Sequence, residues 1–410
     1  MRISLDSLVF ADEQRRLIAF TRVLAIAVLC CLVVSWKLWV SRPYYPLVPL
    51  LEGLPSFSHP FDYAWLGMLV ASLLGIVVRP RSQVLIAIVL AAFGVLFLQD
   101  QSRLWPSFYM FCLYFVLLVS HRGQEGEAAD ERILAGLRFV AAMVYFWGGV
   151  QKLNPYFFYN EFPWFVEPVV KLLPFETTLL PTLAVLAAVC EVLIGVGLLT
   201  TRLRHLALIG AMLMHLLILF SIGPLRSHWN NSSWMWGMSV AVLTWTLFWQ
   251  APAFRLQKMF AAPRLQSAPQ WLVVLLVGIL PVLNNFNRWD SALSFNVYSG
   301  NVDYAEIHLR PQAVPLLPDE IAERVDVGFG NAVLVLNKWS LHEFKANTYP
   351  ETRVFKAVFR KVGSYLPEGS AQLYVGEKAG WFFPKRIDRY ELNSDGEVEL
   401  KELGVEAPTP

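Results

Sequence analysis

Nine long apolar runs fill the first 285 residues of this 410-residue chain. About 20 mostly apolar residues match a bilayer's hydrocarbon core, which is about 30 Å thick. The runs cover roughly residues 17–36, 62–78, 84–98, 104–120, 133–151, 181–200, 204–222, 233–249 and 270–285. The third, fourth and ninth are short, which leaves room for a tilted or re-entrant segment and for a count that differs by one. A wholly soluble protein is excluded. Composition agrees, with 56% hydrophobic residues, 16% charged and a mean hydropathy of +0.46, against about 25% charged in a soluble domain.

Charge is segregated along the chain. Residues 286–410 hold 32 of the 66 Asp, Glu, Lys and Arg residues and carry net −4, while the front carries net +6. The pattern predicts an all-α polytopic membrane helical bundle of about nine spans over residues 1–286 and a small C-terminal α/β soluble domain over 287–410. Neither part has the basic excess of a nucleic-acid binder, so no nucleic-acid partner is expected. Cys30, Cys31, Cys112 and Cys190 all lie in apolar runs, which excludes a disulfide framework or a CxxC motif. His59, His121, His205, His308 and His342 show no ligand spacing, so no metal is expected. GxGxxG, Walker and HExxH motifs are absent. No internal repeat or pair of broken spans suggests a transporter.

Topology follows from the flanking charges. The opening residues contain Asp6, Asp12 and Glu13 and show no small-residue cleavage site, so the first run reads as a retained anchor. With the N-terminus cytoplasmic, twelve basic residues fall on the inner side and six on the outer, as the positive-inside bias requires. Nine spans then place the tail outside. The expected location is a bacterial inner membrane with an extracytoplasmic C-terminal domain. In that domain SFNVYS (294–299) and YAEIHL (304–309) read as a hairpin around Gly300-Asn301. Val354, Phe355, Val358, Phe359 and Val362 predict a helix over about 351–366, and strands are expected at 332–336, 371–375 and 386–392, the last turning at Asn393 to Gly396 into EVELKEL.

Three ionisable residues inside spans stand out, because charge in lipid is costly: Arg138, Glu191 and His215. Arg138, Tyr145 and Lys152 are spaced by seven and form a polar stripe on one helical face. An Arg138–Glu191 pair is within reach. Two readings stand side by side: buried groups that fix helix packing, or the lining of a cavity or proton path. The predicted topology also gathers Asp100 to Trp105, Val150 to Asn154 and Arg226 to Asn231 on the outer face. Lys152 is there either a snorkelling anchor or an amine whose apolar pocket makes it a base or nucleophile. Trp105, Trp164, Trp229, Trp234 and Trp236 suit an interfacial belt.

The run Val144-Tyr145-Phe146-Trp147-Gly148-Gly149-Val150-Gln151-Lys152-Leu153 resembles the vitamin K-dependent gamma-carboxylases and their bacterial relatives, the horizontally transferred transmembrane group. The resemblance covers roughly 95–250 and continues through Glu191 to Leu199, His215 and Leu219 to Gly223. In that family a lysine in this motif is regarded as the base that deprotonates reduced vitamin K, and Lys152 falls on it. The family's second functional histidine is absent, with Pro106 or Ser107 in its place, and the tail is unlike the region that binds the carboxylases' protein substrate. The stretch from Glu191 to Leu199 also resembles DoxX-like membrane proteins linked to redox partners and quinones. The resemblance implies an outward site for a quinone, hydroquinone or other amphipathic membrane lipid. Lys152, Tyr145 and His228 would handle protons, and Arg103, Trp105, Asn154, Trp229 and Asn230 would bind or orient. The alternative is a non-enzymatic subunit whose tail docks a periplasmic protein partner.

Overall fold

The computed structural model describes residues 12–406 apart from 55, 58, 121–125, 173–175, 224–229, 264–265, 329, 382–383 and 394. Among the described residues, ten helices of nine residues or more build the front: α1 (Glu13–Val34), α2 (Phe61–Val78), α3 (Gln83–Gln99), α4 (Pro106–Val119), α5 (Glu127–Gln151), α6 (Phe162–Val170), α7 (Leu180–Leu199), α8 (Arg204–Ile222), α9 (Asn231–Phe248) and α10 (Ala268–Phe286). Each of the nine apolar runs is helical. Six helices are long and apolar enough to cross a membrane by themselves: α1, α2, α5, α7 with its leading turn from Thr177, α8 and α10. Apolar helices α3 and α4 are shorter, and α9 opens on the polar Asn231-Ser232-Ser233. The nine expected spans are thus six by length and composition.

Short side chains start several of these helices by accepting a hydrogen bond from an otherwise unpaired backbone N–H. Asp12 does so for α1, Ser82 for α3 and Asn230 for α9. The other end of α9 is held by three arginines. Arg16 Nη1 donates to the Thr246 and Trp249 carbonyls at 2.9 and 2.8 Å, Arg138 Nε to Leu247 O at 3.0 Å, and Arg204 to Ala251 O. A helix C-terminus exposes carbonyls with partial negative charge, so cations are favoured there. Glu13 completes the cluster, 2.9 Å from Arg138 and 3.2 Å from Arg16.

Antiparallel α5 and α7 pack backbone to backbone. A Cβ at Gly149 would lie 2.6 Å from Val192 N and 2.7 Å from Ala188 O, and one at Gly195 would lie 2.7 Å from Ala142 O and Phe146 N. Small residues permit such close approach, and dispersion then holds the helices together. This register overturns the expected Arg138–Glu191 pair. Glu191 is level with Gly148, ten residues or about 15 Å along α5 from Arg138, and each charge takes another partner.

The tail is a six-stranded antiparallel sheet of β1 (Tyr304–Leu309), β2 (Asp326–Gly328), β3 (Asn331–Val335), β4 (Ala371–Glu377), β5 (Arg386–Leu392) and β6 (Val398–Glu406), in the order β2-β3-β1-β4-β5-β6. Two helices accompany it, α11 (Leu336–Phe344) and α12 (Thr352–Gly363). The α12 stripe Val354, Phe355, Val358, Phe359 and Val362 is fully buried, as its spacing requires. Strand β1 pairs with β3 and β4, so the expected hairpin with 294–299 does not form. That segment makes a 3₁₀ turn and then bends, with Phe295 and Tyr298 at φ 55° and 52°, a region incompatible with strand.

The tail is seated on the helices. Tyr45 packs edge-on against Trp339 and Phe344, with centroids 4.9 Å apart in each case, and donates to Thr348 Oγ1 at 3.1 Å. Arg42 lies over the Phe344 ring and pairs with Asp100 at 2.6 Å. Arg353 donates to Pro49 O at 2.6 Å. These contacts place the tail at the end of the bundle that carries Asp100, Lys152 and Asn230.

The α5–α7 contact has a testable sign. Gly149→Ala should lower the melting temperature of the detergent-solubilised protein, because overpacking costs about 1–3 kcal/mol. Gly94→Ala, where a Cβ meets nothing within 4 Å, should be neutral or stabilising by up to about 1 kcal/mol. Equal shifts in the two variants would remove the close-packing argument.

Candidate functional site

Between α5, α7, α8 and α9 lies a cavity of about 160 Å³. Its walls are mostly carbon: Val144, Phe157, Phe162, Phe165, Met214, Leu217, Trp236 and Val240 among others. A cavity near this size accepts one benzene-sized ring. Its polar lining includes Lys152, Glu191, Tyr145 and His215, with Ser233 and Tyr298 beside them.

Two pairs form. Lys152 Nζ lies 2.8 and 3.0 Å from the Glu191 carboxylate oxygens and donates to Gly148 O at 3.1 Å. Their side chains remain 16% and 14% exposed, so the pair is partly open to whatever fills the cavity. Gly148 makes room for it, since a Cβ there would meet Glu191 Oε1 at 2.6 Å. Lys152 is therefore a paired group, with a partner that neither sequence reading, a snorkelling anchor or an amine in an apolar pocket, assigned to it. In the second pair the Tyr145 hydroxyl lies 2.9 Å from His215 Nε2 and 3.1 Å from Thr244 Oγ1. His215 Nδ1 is buried with no partner among the described residues.

The predicted polar stripe of α5 fans out over different neighbours. Arg138 turns to Glu13 and α9, Tyr145 to α8 and α9, and Lys152 to α7. Other expected site residues lie elsewhere. Arg103 donates to Leu38 O at 3.0 Å and Leu96 O at 3.1 Å, near Trp39, where it braces the chain turn at the tail end. Asn154 caps the next turn by accepting from Phe157 N at 3.0 Å and donates to Ser299 O at 3.1 Å, tying the helices to the tail junction. Asn230 caps α9 through Ser233 N at 3.0 Å. His228 and Trp229 lie outside the described residues.

Trp105 lines a second, more polar chamber of about 450 Å³ between the helices and the tail. Val297 and Tyr298 border both spaces. Glu161, in the π-helical turn Phe157–Glu161, also lines the chamber. Burial lifts its carboxyl to about 7, opposed by the field of Lys152. Burial likewise raises the Tyr298 phenol and the Asp303 carboxyl.

The sequence did not single out Thr244, Glu161 or the wall contributed by Phe295, Val297 and Tyr298. For the wall no local signal exists, because its role depends on how the tail docks. The aromatic run Phe157-Phe158…Phe162…Trp164-Phe165 was visible, and its density could have marked a lining. Comparisons of the chain with family models, curated proteins and solved structures find no match.

A double-mutant cycle separates structure from function at the first pair. Lys152→Met and Glu191→Leu alone should each cost about 1–3 kcal/mol in unfolding by strandedness of the remaining charge, and the double variant should recover most of it. Thermal or denaturant unfolding in detergent measures this. Additive losses would mean that the two groups do not act as a pair.

Proposed function

We propose that this protein binds the ring-shaped head of an amphipathic membrane molecule, a quinone or hydroquinone, in the α5–α9 cavity and exchanges protons with it. The observation that carries this reading is the placement of Lys152–Glu191 and Tyr145–His215 on a ring-sized, otherwise apolar cavity. Binding sites of this kind combine apolar walls with a few polar groups that orient the ligand. The six membrane-type helices suit a ligand that arrives from lipid.

The chemistry follows from the pair. A ligand hydroxyl beside Glu191 passes its proton to the carboxylate, and the oxyanion left behind is held by the Lys152 ammonium. Tyr145, with His215 and Thr244, offers a hydrogen bond to a second ring oxygen. This reading keeps Lys152 at the site, as the resemblance to the gamma-carboxylases implies, but departs from it in role: there such a lysine is regarded as the base, whereas here Glu191 takes the proton and Lys152 holds the oxyanion. It does not extend to carboxylation of a protein substrate, since the family's second histidine position holds Pro106 or Ser107. The tail is given the role of a wall, because Phe295, Val297 and Tyr298 line the cavity. That observation favours it over the DoxX-like subunit whose tail docks a periplasmic partner. The proposal keeps the orientation that the flanking charges suggest, with the N-terminus in the cytoplasm of a bacterial cell and the tail outside the inner membrane.

Gentle extraction and mass spectrometry of copurifying lipids test the proposal. Wild-type protein should carry a quinone or related ring lipid. Lys152→Ala should lose proton exchange with it, or lose the ligand itself, while the melting transition persists. Absence of any ring lipid from the wild-type sample would overturn the reading, and parallel loss of folded protein would return Lys152 to an anchoring role.

A further inference from the structure

The chamber between the bundle and the tail differs in chemistry from the α5–α9 cavity. Trp105, Trp164, Tyr298 and Tyr304 give it aromatic walls, and Glu161 and Asp303 are its charged lining residues, both acidic. Lys385 Nζ already lies 4.6 Å from the centroid of the Tyr304 ring. Lys152 acts on Glu161 from the neighbouring cavity, and Lys378 and Lys385 act on Asp303 from the tail. Asp303 Oδ1 already accepts from Lys378 N at 2.8 Å. Glu161 has no hydrogen bond or ion pair among the described residues, although burial makes its lone charge costly. The Trp105 Nε1 is buried without a partner among the described residues as well.

We propose that this chamber is a second binding site, for a small organic cation bearing an ammonium group, held between the aromatic rings and the Glu161 and Asp303 carboxylates. Aromatic faces attract such cations, most strongly where water is excluded. A carboxylate that is costly to bury unpaired gains most from a cation that pairs it. The chamber of about 450 Å³ holds a cation of choline size with water to spare. A neutral sugar would also stack on the rings but brings no charge to pair with Glu161, which has no ion pair among the described residues, so the charge decides for the cation. The ammonium can come from a soluble amine or from a lipid headgroup such as phosphatidylethanolamine. The site is separate from the ring-lipid reading, because Lys152 and the α5–α9 cavity bind nothing in it.

Calorimetric titration of the full-length protein in detergent with ethanolamine and with choline tests this. Saturable binding is expected, weakened about tenfold or more in Glu161→Gln and in Asp303→Asn, since each substitution removes a negative charge that pairs with the bound cation. Two substitutions are used so that one poorly folding variant does not decide the outcome, and unchanged melting without ligand shows that each has folded. Wild-type binding should also strengthen as pH rises through about 7, where Glu161 loses its proton, and Glu161→Gln should lose that part of the rise. The comparison isolates Glu161 from Lys152 and Tyr298 beside it and from Asp290, Lys378 and Lys385 around Asp303. Competition by phosphatidylethanolamine vesicles, but not by phosphatidylglycerol vesicles, identifies a lipid source; no competition identifies a soluble amine. Failure of both amines to bind, equal affinity in both variants, or binding of glucose in their place would overturn the proposal.

Discussion

The close contact of α5 with α7 sets the geometry on which the site depends. Gly149 and Gly195 let two backbones approach until a methyl group would collide with main-chain atoms. That approach fixes the register, and the register puts Glu191 beside Gly148 and within 2.8 Å of Lys152. A larger residue at Gly149 or Gly195 would push the two backbones apart, and one at Gly148 would collide with the Glu191 carboxylate itself. Packing and chemistry are thus one constraint here. The Trp147-Gly148-Gly149 sequence is dictated by helix contact and by the space that a carboxylate needs.

The intramembrane charges sort by the partner each can find. Arg138 and Arg16 belong to the far end of the bundle, where the carbonyls that end α9 need donors and Glu13 supplies a counter-charge. Their use is structural, and removing one would strand carbonyls in a dry environment. Lys152 and Glu191 sit partly open on a cavity. The same residue types therefore serve opposite purposes at the two ends of α5, and burial with full pairing separates them.

Much of this was legible in the chain. Helical period and apolar length found every membrane-type helix, and the α12 stripe found its own boundaries to within a few residues. Lys152, Tyr145, Glu191 and His215, chosen as rare polar groups in apolar runs, do converge on one cavity. Pairing was not legible, because it depends on helix register, and register is set by contacts between residues far apart in sequence. Arg138 was matched to Glu191 on depth alone, whereas a glycine contact and a charge near the N-terminus decide its partner. The outer-face clustering and the family resemblance make Arg103 and Asn154 candidates to bind or orient a ligand, yet each satisfies backbone groups where the chain turns.

The tail junction carries the last step. Phe295 and Tyr298 hold positive φ, which bulky residues adopt at a cost of about 1–3 kcal/mol each. The neighbourhood enforces it. Asn296 donates to Asn284 Oδ1 at 3.2 Å and to Asn301 O at 3.0 Å, and Ser294 donates to Asp290 O at 2.7 Å. Phe165 from α6 and Tyr109 from α4 receive the two rings, with centroids 6.0 and 5.9 Å away. A regular hairpin at 294–299 would send alternate side chains to opposite faces of a sheet. The strained path aims Phe295, Val297 and Tyr298 at the same cavity. Strain kept in this way is explained by what it builds, a wall whose Val297 and Tyr298 border both the apolar cavity and the polar chamber.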